Sequence, residues 1–183
     1  MNRGRGNISN LRVVNVIATA DLRQQVGLER LVCVEGFLYD KAIYQCAYLK
    51  DENTHGKISI FASGRMISVG TKSYRSARHD LTYCMERLVG LGLIHRTKFE
   101  PKLQNIVAVA DLGRRVRLEA MASKMGHVIY EPEQFPSAIY YDPELQGASI
   151  LIFASGKLVF AGLKSSSAFN AARKVLAQLA SRL

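Results

Sequence analysis

Apolar and polar side chains alternate along LRVVNVIATA (residues 11–20), and several of the apolar residues are β-branched. This alternation predicts a strand, because successive side chains of a strand point to opposite faces. The segments YQCAYLK and KISIFAS are also predicted to be strands, and Gly64 marks a turn into a further strand, RMISVG. The pattern therefore predicts a run of short strands in the first half of the chain.

Two segments of the first half carry apolar residues near helical spacing. One is DLRQQVGLERLVCVEGF, which begins with Asp21 as a plausible N-cap. The other is SYRSARHDLTYCMERLVGLG, which begins with a Ser cap after Lys72 and has Gly92 as its natural end. The apolar face of this second segment comprises Ala77, Leu81, Cys84, Leu88 and Leu91. We expect a helix in each segment.

The second half of the chain repeats the first. IFASGRMISVGTKS, which begins at Ile60, returns as IFASGKLVFAGLKS from Ile152, and NVIATADL returns as NIVAVADL. YDKAIYQCAYLKD likewise aligns with YEPEQFPSAIYYD. A period of about ninety residues exceeds the units of about fifty residues found in solenoids, so a duplicated half-domain is the better interpretation. We expect one repeat over residues 11–96 and the other over 97–183, after a flexible basic arm at residues 1–10.

Each repeat is predicted to contain a strand, a helix, about four strands and a final helix, the last of them over residues 165–183. Two repeats give about ten strands and four helices, an α+β fold whose antiparallel sheet has helices on one face only. In RMISVG the alternation sends Met66 and Ser68 one way and Ile67 and Val69 the other. An apolar open face usually marks an interaction site, although a homodimer or a linker is also able to cover it.

Charge narrows the class of partner. The 183 residues are 48% hydrophobic and contain 25 Lys and Arg against 15 Asp and Glu, a formal charge of +10. This surplus favours an anionic partner, nucleic acid first and a membrane surface second, although a ribosomal-type or merely soluble basic protein also fits it. No apolar run approaches the ~18 residues of a membrane span. The start, MNRGRGNISN, lacks the apolar core of a secretory signal, so we expect an intracellular protein.

The residues able to carry chemistry give no sign of an enzyme. The chain has no GxSxG, P-loop or HExxH motif. Cys33, Cys46 and Cys84 form no CxxC and no ligand-spaced cluster with the histidines, so buried free thiols in a reducing compartment are the plain interpretation. We therefore expect no catalytic residue, no metal and no cofactor.

Taken together, the doubled IFASG-[K/R], the G-x-K-S that follows it, the doubled N-[I/V]-[I/V]-A and YEPEQFP resemble the core domain of the TATA-box-binding protein family. The resemblance covers residues 10–183 in both repeats, and EPEQFP is more similar to archaeal than to eukaryotic members. It implies a pseudo-twofold saddle, in which a ten-stranded, antiparallel, curved sheet carries four helices on its convex face. It also implies a general transcription initiation factor that binds the minor groove of A/T-rich promoter (TATA-box) DNA, kinks it, and recruits transcription factor B and RNA polymerase.

The resemblance assigns DNA-contacting residues by motif position. In this family, itself a standard example of the mechanism, apolar wedges enter base steps and kink the duplex. The wedge positions are Tyr44, Phe61, Phe135 and Phe153. Asn15 and Asn105 fall at the central asparagines, which can donate to the adenine N3 and thymine O2 acceptors. The apolar floor against the bases comprises Ile17, Ile67, Val69, Val107, Leu151, Val159 and Ala161.

Phosphate contacts are implied for basic and hydroxyl side chains that flank the groove, and such contacts make affinity fall steeply with salt. These side chains are Lys50, Ser63, Arg65, Lys72, Ser155, Lys157 and Lys164. Glu131, Glu133 and Gln134 correspond to the surface that the family offers to transcription factor B. The first repeat has Asp40, Ala42 and Ile43 there, and this asymmetry would give the complex a direction.

Some positions depart from the family pattern. They are Tyr44 at a wedge, Ser59 where the second repeat has Leu151, Val69 and Ala161 in place of Thr, and Tyr141 in place of Arg. These departures keep open a second hypothesis, a divergent paralogue with altered or weak DNA preference that acts mainly through protein partners. Self-association through the apolar sheet face is an alternative partnership. The expected location is the cytoplasmic nucleoid for an archaeal protein and the nucleus for a eukaryotic one.

Overall fold

The computed structural model describes residues 11–183, so the predicted arm at residues 1–10 lies outside the described part. The chain divides into two compact units. The first unit is Asn15–Gln104, and the second is Asn105–Leu183 together with residues 11–14. The repeat boundaries expected from the sequence stay a prediction.

The first unit contains five strands and one long helix. The elements are β1 (Arg12–Asp21), a 3-10 helix (Leu28–Leu31), β2 (Phe37–Leu38), β3 (Cys46–Leu49), β4 (Lys57–Phe61), β5 (Arg65–Thr71) and α1 (Tyr74–Gly90). The strands are antiparallel and lie in the order β2-β3-β4-β5-β1, and α1 packs against β5 and β4. The apolar side chains beneath α1 are fully buried and form the core of this unit.

The second unit repeats this arrangement. The elements are β6 (Lys102–Asp111), α2 (Leu118–Ala122), β7 (Val128–Ile129), β8 (Ser137–Tyr140), a 3-10 helix (Pro143–Leu145), β9 (Ser149–Phe153), β10 (Lys157–Leu163) and α3 (Ser166–Arg182). Its strands are antiparallel in the order β6-β10-β9-β8-β7, and α3 packs against β10. The α+β class and the ten strands predicted from the sequence are thereby confirmed within residues 11–183.

The long helices begin where the sequence predicts. The Ser73 side chain accepts a hydrogen bond from the backbone N–H of Ser76 at 3.0 Å, and the Ser165 side chain accepts one from Ala168 at 3.0 Å. These are N-caps, which satisfy backbone donors that a first helical turn leaves free. After α1, Gly92 takes a φ of +64° and ends the helical path, as its position in the sequence suggests.

The helix predicted from Asp21 is wrong. Asp21 is the last residue of β1, and the chain after it lies against the turn between β4 and β5. There the backbone N–H of Leu22 donates to Gly64 O and that of Val26 donates to Ala62 O, both at 3.0 Å. Because these donors bond to a distant turn, they are not available for helical hydrogen bonds, and only one 3-10 turn forms. The second repeat forms the five-residue α2, so residues 11–183 contain three α-helices and not four.

Glycine in the doubled ASG phrase is required by this contact. Gly64 and Gly156 have φ values of +87° and +94°. A Cβ on Gly64 would lie 2.1 Å from the carbonyl oxygen of Gln24, and one on Gly156 would lie 2.0 Å from that of Arg114. No side chain fits between two backbones at that distance, so the repeated glycine serves the fold in both units.

Candidate nucleic-acid interface

Each unit has one sheet face that its long helix does not cover, which we call the open face. In β5, Met66 and Ser68 are fully buried, whereas Ile67 and Val69 remain partly exposed. In β10, Leu158 and Phe160 are fully buried, whereas Val159 and Ala161 remain partly exposed. The alternation expected from the sequence is thus confirmed, and the open faces are largely apolar.

Cross-strand pairing defines the middle of the open face. In the first unit the row is Tyr48, Ser59, Ile67 and Thr19, each paired with the next. In the second unit the corresponding row is Ile139, Leu151, Val159 and Val109. The small Ser59 therefore lies beside a large tyrosine, where the second unit pairs two aliphatic residues of middle size. The sequence analysis noted Ser59 and missed Tyr48. The available signal was its position two residues after Cys46 in β3, which places both side chains on the same face of the strand.

Tyr48 also makes contacts of its own. Its ring meets the Tyr44 ring edge-on with centroids 5.4 Å apart, and the Lys57 ammonium lies 4.4 Å from the Tyr48 ring centroid. A cation over an aromatic face is attracted by the ring quadrupole. The first unit thus carries an aromatic and cationic corner, whereas Ile139 stands at the Tyr48 position of the second unit.

The candidate wedges sit at equivalent places in the two units. Phe61 pairs with Cys46 and Phe153 pairs with Ser137 across neighbouring strands. Tyr44 precedes Cys46 by two residues in a turn in which its N–H donates to Asp40 O at 2.7 Å. Among residues 11–183 the Tyr44 ring contacts Tyr48 and makes no ring contact with Phe61.

Phe135 is held in the same way in the second unit. Its backbone N–H and that of Gln134 both donate to the carbonyl oxygen of Glu131 at 3.0 Å. The side chain of Phe135 is 42% exposed, an unusual state for a phenylalanine. A large apolar ring fixed by its backbone and open to solvent is suited to insertion into a partner.

The two asparagines are fixed by a shared device. Asn15 Oδ1 accepts a hydrogen bond from Gly70 N–H at 2.8 Å, and Asn105 Oδ1 accepts one from Gly162 N–H at 3.0 Å. Both glycines have positive φ, +91° and +89°, at places where the register between the strands shifts. Because each side-chain oxygen is occupied, each Nδ2 group is left as a donor, and neither has a protein acceptor within residues 11–183.

The repeated phrase lines one cavity in each unit. In the first unit Phe61, Ser63 and Arg65 line a cavity of about 1240 Å³ together with Arg23 and Lys98. In the second, Phe153, Ser155 and Lys157 line a cavity of about 660 Å³. The aromatic, hydroxyl and cationic groups of each phrase are therefore brought together. Sequence reasoning missed Arg23 and Lys98, which only the fold brings to this place.

The three remaining lysines predicted to contact phosphates are exposed, but they differ in whether they already form a hydrogen bond within the chain. Lys72 and Lys164 are exposed. Lys50 is also exposed, but its Nζ donates to Thr54 O at 3.3 Å within its own loop. Lys57 was not predicted and lies on the open face beside Tyr48. Lys57 thus joins the predicted cations as a further candidate phosphate contact.

The loop residues expected to bind a protein partner are all exposed in the second unit, namely Glu131, Glu133 and Gln134. The equivalent loop of the first unit has a different character. Lys41 forms a surface ion pair with Glu29 at 3.4 Å, and Ile43 is 68% exposed. The second unit therefore presents two exposed glutamates in this loop, whereas the first presents one aspartate, one lysine and an exposed isoleucine.

Comparison with known proteins decides the family. Residues 10–90 and 100–182 each match the model of the family described as transcription factor TFIID, or TATA-binding protein (TBP). The chain belongs to this family. The predicted resemblance is confirmed, and so is the prediction that the protein is not an enzyme, because TBP family members are DNA-binding transcription factors.

Archaeal TBP sequences and a solved structure are similar to this chain. The TATA-box-binding protein of Cenarchaeum symbiosum (strain A) is 40% identical over 156 residues, which cover 84% of this chain and 85% of the relative. That of Pyrococcus abyssi is 33% identical over 173 residues, which cover 92% and 89%. The structure of Methanococcus jannaschii TBP matches 95% of this chain and 99% of its own with a TM-score of 0.79 and 28% identity.

Membership of this family indicates that the partners of the chain are DNA and the general transcription machinery. Within residues 11–183 no helix has the length and apolar character that crossing a membrane requires.

Proposed function

We propose that this TBP family member is a general transcription initiation factor that binds the minor groove of A/T-rich promoter (TATA-box) DNA. The observation that carries the proposal is the pair of asparagine amides. Asn15 and Asn105, at equivalent places in the two units, each engage Oδ1 with a glycine N–H and leave an Nδ2 donor for a ligand. The minor groove offers the adenine N3 and thymine O2 acceptors at A·T pairs.

The apolar floor supplies selectivity against G·C pairs. Ile67 and Val69 in the first unit, and Leu151 and Val159 in the second, are partly exposed aliphatic side chains. A guanine amino group facing them would lose its hydrogen bonds to water without gaining an acceptor, and such a loss costs about 1–3 kcal/mol. The preference for A·T pairs thus has two sources, which are the two asparagine amides and the absence of a hydrogen-bond acceptor for guanine among these four aliphatic side chains.

Bending is the second part of the proposal. TATA-binding proteins are themselves the standard example of apolar side chains that enter base steps and kink DNA toward the major groove. Phe61 and Phe153 lie on the open faces next to the cationic cavities, and Phe135 is exposed on its turn. Tyr44 packs against Tyr48. We therefore propose Phe61, Phe135 and Phe153 as the deep wedges and Tyr44 as a shallower contact.

Exposed cations bind the phosphates on either side of the groove. Arg65 and Lys157 follow the wedge phenylalanines in sequence and are exposed, as are the hydroxyls of Ser63 and Ser155. Each neutralised phosphate releases counterions, so log affinity falls linearly with log salt concentration. The net charge of +10 supports the same interaction at longer range.

Protein partners complete the proposal. Glu131, Glu133 and Gln134 would bind transcription factor B, and RNA polymerase would follow that factor to the promoter. The first unit has Asp40, Ala42 and Ile43 at the equivalent positions, so the partner would prefer the second unit and give the complex a direction. In the absence of DNA a second copy of the chain could cover the apolar open face. The archaeal relatives favour the nucleoid as the place of action.

The test is an affinity measurement on an A/T-rich promoter duplex by fluorescence anisotropy at low salt. Asn15→Ala should weaken binding about 5-fold or more, because it leaves a base acceptor in the groove without its donor, a loss of about 1–3 kcal/mol. Asn170→Ala is the matched control, because Asn170 is exposed on α3. Equal affinity of wild type and Asn15→Ala would contradict the proposed contact between the Asn15 amide and the bases.

The paralogue hypothesis predicts a different outcome. Wild type would then bind the A/T-rich duplex no better than a G·C-rich duplex of the same length. Tyr44, Tyr48 and Lys57 are the residues that favour this hypothesis, because they give the first open face a corner that the second does not have.

A further inference from the structure

Three side chains that are distant from the open face meet on the helix side of the first unit. His55 lies in the turn before β4, and His79 and Asp80 are consecutive residues of α1. The potential ligand atoms of these residues all lie within 4.8 Å of one another. The rings of His55 and His79 meet edge-on with centroids 5.1 Å apart. We call this group the His–Asp cluster.

Both imidazoles turn the same nitrogen toward the same oxygen. His55 Nδ1 lies 2.9 Å from Asp80 Oδ1, and His79 Nδ1 lies 3.5 Å from it. Two ligands of a tetrahedral metal ion with bonds of about 2.0–2.1 Å are about 3.3 Å apart. The spacing in the cluster is therefore already close to that of a first coordination sphere.

The carboxylate of Asp80 is buried and held in place. Its Oδ1 accepts the backbone N–H of His55 at 3.0 Å, and its Oδ2 accepts that of Gly56 at 2.8 Å. Burial acts to raise the pKa of Asp80, but the hydrogen bonds from His55, Gly56 and His79 outweigh it and hold the pKa below its usual value. The two backbone hydrogen bonds therefore fix the orientation of the carboxylate, and such outer hydrogen bonds commonly position a metal ligand.

The second unit lacks the whole cluster. Ninety-two residues after His55, His79 and Asp80, the chain has Gly147, Ala171 and Ala172. Ala172 is fully buried, as is Asp80, and α3 packs against its sheet as α1 does. The fold thus forms with an alanine at this place, and a buried carboxylate is costly unless something compensates its charge. The acid and both histidines occur together in the first unit and are absent together from the second.

We propose that the His–Asp cluster binds one divalent first-row transition metal ion of the zinc class through His55 Nδ1, His79 Nδ1 and Asp80 Oδ1. Imidazole and carboxylate ligands suit such ions. The two imidazole side chains are 53% and 55% exposed, so solvent can complete the coordination. Without metal, each Nδ1 carries the proton of its hydrogen bond to Asp80. On metal binding that proton moves to Nε2 by exchange with solvent, which frees the Nδ1 lone pair for the ion without a net loss of protons.

The ion would join the turn before β4 to α1. Without metal the link consists of hydrogen bonds from His55 and Gly56 to Asp80. A ligand that binds only the folded state at 100 times its Kd raises stability enough to shift the Tm of a chain of this size by about 5–10 °C. The site is separate from the residues proposed to touch DNA, so its failure would leave the proposed function unaffected.

The test uses the full chain, free of any histidine tag and stripped with a chelator, and titrates it with ZnCl₂ by calorimetry and with CoCl₂ by visible absorption. We expect one ion per chain, a tetrahedral Co²⁺ spectrum and a Tm rise with Zn²⁺. His55→Ala and His79→Ala should each weaken binding at least 10-fold. His95→Ala is the matched control, since His95 is exposed and bonds to the Gln24 side chain through its own backbone N–H and carbonyl oxygen, which alanine keeps.

Three results would overturn the proposal. One is the absence of saturable Zn²⁺ binding by the wild-type chain. Another is Zn²⁺ binding that survives both substitutions, which would place the ion elsewhere. The third is a Tm difference between wild type and His79→Ala that is the same with and without Zn²⁺. The cluster would then stabilise the fold by hydrogen bonds and not by binding a metal ion. Asp80→Asn separates loss of a metal ligand from loss of side-chain packing. It keeps the shape of the side chain but removes the carboxylate, so it should also lose metal binding.

Discussion

The glycine of the first ASG phrase allows a stability prediction whose size follows from the geometry. Gly64→Ala places a Cβ 2.1 Å from the carbonyl oxygen of Gln24 and leaves an alanine at a φ of +87°. The left-handed backbone costs a non-glycine residue about 1–2 kcal/mol. Relief of the clash separates the segment from the turn and displaces two hydrogen bonds, each contributing about 1 kcal/mol. The expected loss is about 3–4 kcal/mol.

Urea unfolding followed by circular dichroism measures this loss, and thermal unfolding should show a Tm lowered by roughly 6–16 °C for a chain of this size. Gly90→Ala is the matched control. Gly90 is the last residue of α1, and a Cβ there meets nothing within 4 Å. It should be neutral or stabilising by up to about 1 kcal/mol. If Gly64→Ala unfolds within 1 kcal/mol of wild type, the close approach is not a constraint on the fold.

Two further predictions concern the open face and the acidic loop. Ser59→Leu should stabilise the chain by about 0.2–1 kcal/mol, because on this half-exposed face a leucine gains a cross-strand contact with Tyr48 that serine lacks. Tyr48→Ala in the same chain should remove much of that gain, and strictly additive free energies of urea unfolding would contradict the shared contact. Glu131→Arg with Glu133→Arg should leave DNA affinity within a few fold and abolish the ternary complex with transcription factor B in a gel shift, and an unchanged ternary complex would remove the loop from that role.

Local signals were sufficient for the long elements. The alternation of LRVVNVIATA predicted β1, and the Ser73 cap with its apolar face predicted α1, because these signals lie within the elements themselves. The helix expected from Asp21 failed for a non-local reason. Its apolar residues Leu22 and Val26 are buried as a helix would bury them, but their backbone donors bond to a turn some forty residues away. Burial was predictable there, and the hydrogen-bond partner was not.

The candidate site divides in a similar way. Asn15 and Phe61 could be identified from the repeated motifs and the family resemblance. What the asparagine does with its oxygen depends on Gly70, fifty-five residues away in sequence. The His–Asp cluster joins residues about twenty-five apart whose spacing matches no metal motif. Such pairs are formed by the tertiary fold, and no local pattern in one sequence encodes them.

The central claim is that this chain binds and bends A/T-rich promoter DNA with its open faces. The most direct measurement is the end-to-end distance of a fluorescently labelled duplex by resonance energy transfer at low salt, with transcription factor B present. Wild type should bend the duplex by about 80°, the value known for TATA-binding proteins. The Phe61→Ala/Phe153→Ala variant should bend it far less, and Phe169→Ala on α3 should behave as wild type. A wild-type chain that leaves the duplex straight, or that the two substitutions do not affect, would contradict the account.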